Sequence, residues 1–138
     1  MKFDENATGF LIADIARLMR QGFANSLTNS PLTFAQARAL IYVARFEGVR
    51  QIELAELLEV QPITLARLLD TLVEHNLVER RADPSDRRAC LIYLLPDATE
   101  HIKCITDSAN IVKQKAFNGL DFDQAQQILL QIRTNLLS

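Results

Sequence analysis

Apolar residues recur at three- or four-residue spacing along most of the chain, which is the pattern of amphipathic helices. Residues that favour turns or helix starts separate the segments, among them Asn29-Ser30-Pro31, Gly48 and Asn118-Gly119. Thr33 is the expected N-cap of the second helix. The predicted helices are residues 7–27, 34–47, 52–58, 62–75, 97–117 and 120–137.

Residues 77–95 interrupt this helical pattern. Residues 77–81 and 89–95 have the β-branched and aromatic content of strands, whereas residues 82–88 combine turn formers with charge. We therefore predict a β-hairpin with a charged tip. Four arginines and two aspartates in residues 80–88 make the tip net positive, so it can enter a DNA minor groove. The alternative is a solvated hairpin with surface ion pairs.

Just before the hairpin, two helices are separated by only three residues, 59–61. In the second helix Leu65, Leu69 and Leu72 share one side, and Pro62 suits the first turn. The other side and the preceding turn supply the candidate DNA-binding residues, which are Gln61, Ile63, Thr64, Arg67 and Thr71. This arrangement predicts a helix-turn-helix, in which Thr64 contacts a phosphate or base and Arg67 a guanine or phosphate. An ordinary helical hairpin with a hydrated face is the alternative.

The composition allows this interpretation without requiring it. A length of 138 residues, 49% of them hydrophobic and 23% charged, is typical of one globular domain. The net charge of −2 weakens non-specific attraction to DNA. Charges within the apolar part of the N-terminal segment argue against a signal peptide or membrane span, so we expect a cytoplasmic protein. Cys90 and Cys104 lack a metal-binding or redox spacing and are expected to be structural thiols.

A catalytic site is not expected. His75 and His101 are far apart in the sequence, and neither belongs to a helical pair, a phosphate loop or a Cys/His cluster. The sequence therefore predicts a protein that is not an enzyme and has no metal or cofactor.

The helices at the two chain ends are more apolar than a small winged domain needs for its own core. Core packing within one chain explains this about as well as a homodimer in which the terminal helices of both chains pack together. A dimer would place two recognition helices about one DNA turn apart, roughly 34 Å, on a two-fold symmetric site.

The order of elements and several motifs resemble the MarR/SlyA family of bacterial transcriptional regulators. The resemblance is carried by TLARLLD at residues 64–70, by LVER at 77–80 and by the D-P-x-D-R-R wing motif at 83–88. It extends over nearly the whole chain. One departure is Asn76, which stands where the family usually has glycine and can adopt the same left-handed backbone.

The resemblance implies a homodimer that binds double-stranded DNA at a pseudo-palindromic operator, with one recognition helix in each major groove. It assigns the wing contacts to Arg80, Arg87 and Arg88, and either Arg87 or Arg88 enters the minor groove. Asp86 is expected to orient an arginine instead of meeting DNA, because a carboxylate facing phosphates would be repelled.

Family resemblance also implies a small aromatic or phenolic effector bound between the dimerisation helices and the winged part. The candidate residues are Arg17, for a ligand carboxylate, with Ala37 and Ile41 on the second helix. An interhelical ion pair is the alternative role of Arg17.

We therefore predict a mostly α-helical protein with one MarR-like domain over residues 1–138. Its winged helix-turn-helix would cover residues 32–95, and dimerisation helices would cover 7–27 and 97–137. The expected function is DNA-binding regulation of transcription, most simply repression. The alternative is a winged-helix protein-interaction module that has lost its DNA contacts, an interpretation that the acidic pI of about 5.7 favours.

Overall fold

The computed structural model describes residues 1–28 and 30–138 as six helices and one two-stranded antiparallel hairpin. Asn29, part of the predicted break after the first helix, lies outside the described residues. The elements are α1 Thr8–Ser26, α2 Phe34–Arg45, α3 Gln51–Leu58, α4 Pro62–Glu74, β1 Val78–Asp83, β2 Asp86–Leu94, α5 Ala98–Ala116 and α6 Phe122–Leu137. The predicted fold class, mostly α-helical with a β-hairpin wing, is confirmed.

Local chemistry explains where several helices begin. Thr33 caps α2 as predicted: its hydroxyl accepts the Gln36 N–H at 3.2 Å, and the Gln36 side chain accepts the Thr33 N–H at 3.0 Å. Pro62 occupies the first turn of α4, where its missing N–H costs nothing. Asp121 caps α6 by accepting the Gln124 N–H at 3.2 Å.

One hydrophobic core joins α2, α3, α4 and the base of the hairpin. The helix α2 packs against α4, and α3 packs against both α4 and β2. The largest fully buried side chains are Leu40, Leu54, Leu65, Leu69, Leu72, Leu77 and Ile92. The predicted inward face of α4 is therefore confirmed, and burial of its leucines fixes the orientation of this helix.

The hairpin strands extend further towards the tip than the sequence indicated. We predicted residues 82–88 as a loop, but Ala82 pairs with Cys90 and Asp83 with Asp86, which leaves a turn of only Pro84 and Ser85. A register shift at Ala82/Asp83 accommodates this tight turn. The wing is therefore a longer ribbon than predicted.

The long helices at the chain ends contribute little to this core. The helix α1 packs against α5, where Gly22 lies against Val112, yet neither α1 nor α6 contains a buried residue. Only Ala98, Ile105 and Ser108 of α5 are buried. No helix in the described part of the chain is both long and apolar enough to cross a membrane.

Two hydrogen bonds join the residues just after α4 to the segment that leads into α5. The Leu95 N–H donates to the Leu77 carbonyl at 2.9 Å, and the Asn76 side-chain amide donates to Asp97 Oδ2 at 3.0 Å. Asn76 has a φ of 59°, the left-handed conformation expected for the residue that replaces glycine there.

Candidate nucleic-acid interface

A tight turn sets the angle between α3 and α4. Glu59 ends α3 with a φ of 56°, and the Val60 N–H donates to the Ala55 carbonyl at 3.1 Å. Asparagine or glycine adopts this backbone more easily than glutamate, so the packing of both helices must stabilise it. The turn delivers Gln61 as the N-cap of α4 on the surface.

The helix α4 separates its buried and outward faces as predicted. Leu65, Leu69 and Leu72 are fully buried. The opposite side carries four of the predicted residues: Ile63, Thr64 and Arg67 are exposed, and Thr71 is half-buried. Thr71 donates its hydroxyl to the Arg67 carbonyl at 3.3 Å within the same helix. The structure thus places the predicted recognition residues on one surface.

The two arginines near the wing tip are also on the surface. Arg87 and Arg88 lie on β2 just after the turn, and both are exposed. Within the described residues neither they nor Arg67 forms an ion pair. Their guanidinium groups are therefore available to an external anion.

A carboxylate does fix the wing, but it is Asp83 and not Asp86. Arg50, the N-cap of α3, approaches Asp83 Oδ2 with its Nε at 3.0 Å and one Nη at 2.9 Å. We predicted this role for Asp86, whose Oδ1 instead accepts the backbone N–H of Arg88 at 3.0 Å. The sequence could not separate the two aspartates of the motif, because the distinction depends on which side of the ribbon faces α3.

Asp83 is 9% exposed and accepts several hydrogen bonds. The Ser85 backbone N–H donates to Asp83 Oδ1 at 2.9 Å and the Ser85 hydroxyl at 2.8 Å. These bonds, followed by the positive charge of Arg50, lower the pKa of the Asp83 carboxyl below its ordinary 3.8, although partial burial opposes them. The carboxylate is therefore ionised at neutral pH and holds the turn and the wing in one geometry.

Arg80 forms several contacts within the protein. Its Nε donates to Gln51 Oε1 at 3.1 Å, and one Nη donates to the Ala66 carbonyl at 3.2 Å and lies 2.8 Å from Asp70 Oδ1. These contacts join β1 to α3 and α4, and the side chain is 28% exposed. Arg80 is thus engaged within the protein at the base of the wing, and its predicted contact with DNA stays a prediction.

The sequence did not predict the role of Arg50 in holding the wing, nor the contacts of Arg81. Arg81 pairs with Glu79 at 2.6 Å and places its guanidinium 3.8 Å from the centre of the Tyr93 ring. Alternation along the hairpin could have indicated that Glu79 and Arg81 share a face with Tyr93, which pairs with Glu79 while Arg81 pairs with Leu91. Nothing in the sequence alone indicated that Arg50 pairs with Asp83, which lies 33 residues further along the chain.

The wing and the recognition helix are neighbours in space. An open cleft between them is lined by Arg50, Ile52, Pro62 and Arg88. The start of α4 and the basic part of the wing thus border the same concave surface, which is the arrangement needed to contact adjacent grooves of one duplex.

The three predicted effector residues differ in their exposure. Arg17 is exposed on α1 with its guanidinium 3.6 Å from Asp14 of the same helix. Ala37 is fully buried in the core and offers no surface to a ligand, while Ile41 is half-buried. Among the residues that the structure describes, no three His, Cys, Asp or Glu side chains cluster as metal ligands, and both cysteines are unpaired and half-buried.

The fold and the surface define a winged helix-turn-helix protein. Residues 30–89 match the sequence model of the MarR family, and the full fold is that of solved MarR-family regulators. The predicted resemblance to the MarR family is therefore confirmed, in the sequence of the winged segment and in the fold of the whole chain.

Three solved structures illustrate the likeness. A MarR-family transcriptional regulator from Silicibacter pomeroyi is 24% identical with a TM-score of 0.81, over 96% of this chain and 89% of that one. A point mutant of MarR from E. coli, complexed with operator DNA, is 22% identical with a TM-score of 0.73, over 99% of each chain. BpsR from Bordetella bronchiseptica, described with a mechanism for regulation of its DNA binding by 6-hydroxynicotinic acid, is 20% identical with a TM-score of 0.74, over 100% and 99%.

Proposed function

We propose that this protein regulates transcription by binding a specific duplex DNA sequence as a homodimer. The observation that carries the proposal is the pairing pattern of its arginines. Arg50 and Arg80 are engaged within the protein, whereas Arg67, Arg87 and Arg88 are exposed with no ion-pair partner in the described chain. The free guanidinium groups lie on the recognition helix and the wing, where DNA would meet them.

In this proposal α4 and the wing contact different grooves of the DNA duplex. The helix α4 enters the major groove, where Gln61, Thr64 and Arg67 can hydrogen-bond with base edges or phosphates. The wing lies along the flanking minor groove, and Arg87 or Arg88 inserts there, because a narrow minor groove concentrates negative potential. The E. coli MarR mutant whose structure contains operator DNA supports this function for the fold.

A homodimer explains the terminal helices. The helix α6 exposes Ile128, Leu129, Ile132 and Leu136, and α1 exposes Phe10, Leu11, Ile15 and Leu18. Soluble monomers rarely expose so many large apolar side chains together. We propose that α1, α5 and α6 of two chains pack on one another and so fix the spacing of two α4 helices on a pseudo-palindromic site.

Repression follows when such a site overlaps a promoter, since the bound dimer would exclude RNA polymerase. A bacterial regulator of this kind acts in the cytoplasm, where chromosomal DNA lies. We propose no catalytic step and no resident cofactor.

The proposal is tested by fluorescence anisotropy with duplex DNA from the region upstream of the gene and with unrelated DNA, at two salt concentrations. We expect tight, salt-sensitive binding that prefers the upstream DNA. The variant Arg87→Ala/Arg88→Ala should lose most specific binding and show a shallower salt dependence. A matched variant, Lys103→Ala/Lys115→Ala, removes the same charge from α5 and should bind normally.

The second candidate is a winged-helix module that binds another protein, which the net charge of −2 favours. It predicts weak and equal binding to both DNA duplexes, with no dependence on Arg87 and Arg88. That result, with the dimer intact, would overturn the DNA-binding proposal.

We also propose that a small aromatic acid releases the DNA. The described regulation of BpsR by 6-hydroxynicotinic acid supports an effector of this chemistry. Arg17 can offer its guanidinium to a carboxylate in competition with Asp14, since both side chains are more than half exposed. Ala37 could take part only after α2 moves, because it is fully buried here.

A further inference from the structure

The outward face of α4 contains one large apolar side chain among polar ones. Ile63 is 63% exposed, more than any other large hydrophobic residue between Leu32 and Leu95. It has no role in the core, which α4 joins through Leu65, Leu69 and Leu72.

The position of Ile63 on the helix matters as much as its exposure. With 3.6 residues per turn, Ile63 and Arg67 lie about 40° apart around α4, on the side opposite Leu65. Ile63 is the second residue of the helix, and the N-terminal residues of a recognition helix are those that meet base edges. If α4 enters the major groove, the side chain of Ile63 enters with its first turn.

The major-groove edge of DNA offers one apolar group, the C5-methyl of thymine. Against a phosphate or a polar base edge, an isoleucine would displace water and form no hydrogen bond in return. We propose that Ile63 is a specificity-determining residue that contacts a thymine methyl group in each half-site. The inference rests on the proposed DNA-binding function and names part of the sequence that the protein reads.

The experiment removes only the C5-methyl group of thymine from the DNA and leaves the rest of the base unchanged. Duplexes that wild-type protein binds tightly are selected from a random library, and each selected thymine is then replaced by deoxyuridine. At one thymine per half-site we expect binding to weaken about fourfold, the effect of roughly one buried carbon group at about 0.8 kcal/mol. For Ile63→Ala the same replacement should have no effect, because its side chain is too short to reach the methyl group.

Val73→Ala is the matched control, since Val73 is also an exposed β-branched residue of α4 but lies near its C-terminal end. In this variant, replacing thymine by deoxyuridine should weaken binding as much as it does in wild-type protein. If deoxyuridine weakened binding equally in wild-type protein and Ile63→Ala, or weakened it in neither, the role of Ile63 would be overturned. The proposed DNA-binding function would not be affected by that result. Failure to select any duplex would overturn both this inference and the proposed function.

Discussion

The Nη of Arg80 lies 2.8 Å from Asp70 Oδ1 and so joins the first strand of the wing to the recognition helix. The same guanidinium also holds Gln51 of α3 and the Ala66 carbonyl of α4. One side chain therefore connects three elements, β1, α3 and α4. A lysine could not replace it, because only the planar, forked guanidinium donates in these several directions at once.

Arg80→Ala should lower the free energy of unfolding by about 1–2 kcal/mol and weaken specific DNA binding, because it removes charge-assisted hydrogen bonds from a mostly buried group. Urea unfolding and anisotropy measure the two effects. Arg80→Lys should restore neither the wild-type free energy of unfolding nor the wild-type DNA affinity in full. Full recovery of DNA affinity in Arg80→Lys would instead indicate a simple phosphate contact.

The lowered pKa of Asp83 predicts how stability changes in acid. Its stabilising contribution is complete above the ordinary value of 3.8 and is lost as the pH falls through the lower value of the folded protein. Asp83→Asn should therefore be less stable than wild type at pH 6, and the difference should shrink at pH 3. Urea unfolding at both pH values provides the test, and a difference independent of pH would contradict it.

A charge on α6 should dissociate the proposed dimer. Ile128→Glu should raise the dimer dissociation constant at least about a hundredfold, since an unpaired buried charge costs about 3–5 kcal/mol. Light scattering coupled to size exclusion measures the molecular mass. Gln127→Glu, on the other side of α6, adds the same charge and should leave the dimer intact, whereas dimers in both variants would place the interface elsewhere.

An aromatic acid should act through Arg17 if the effector proposal is correct. With 6-hydroxynicotinate as the probe, we expect release of DNA from wild-type protein and an at least tenfold weaker response in Arg17→Ala, because a charge-assisted hydrogen bond is lost. Arg20→Ala removes an equal charge from the same helix and should respond as wild type does. Identical responses in all three proteins would exclude Arg17 from the site.

Short-range patterns explain which parts of the structure could be predicted. The spacing of Leu65, Leu69 and Leu72 fixed the buried face of α4, and the Thr33 cap fixed the start of α2, because both depend on neighbours within a few residues. The wing motif identified the arginines at the tip by resemblance. Their contacts with DNA, and the division of the chain into DNA-binding and dimerisation parts, stay predictions.

The errors came from contacts between residues distant in the sequence. Arg80 was grouped with the wing contacts by resemblance, and the sequence did not show that its partners within the protein come from α3 and α4. The motif alone does not show whether Asp83 or Asp86 pairs with an arginine side chain. This depends on the packing of the wing beside Arg50. The apolar residues of α1 and α6 could not be separated from core residues before the fold showed that they are exposed.

The hydrogen bonds at Asn76 and Leu77 connect the end of the helix-turn-helix to the segment that begins α5. In the proposed dimer α5 also packs on the partner chain, so these bonds would couple the spacing of the two α4 helices to the packing of the dimer. A ligand that shifted α5 would then change this spacing and weaken binding to DNA.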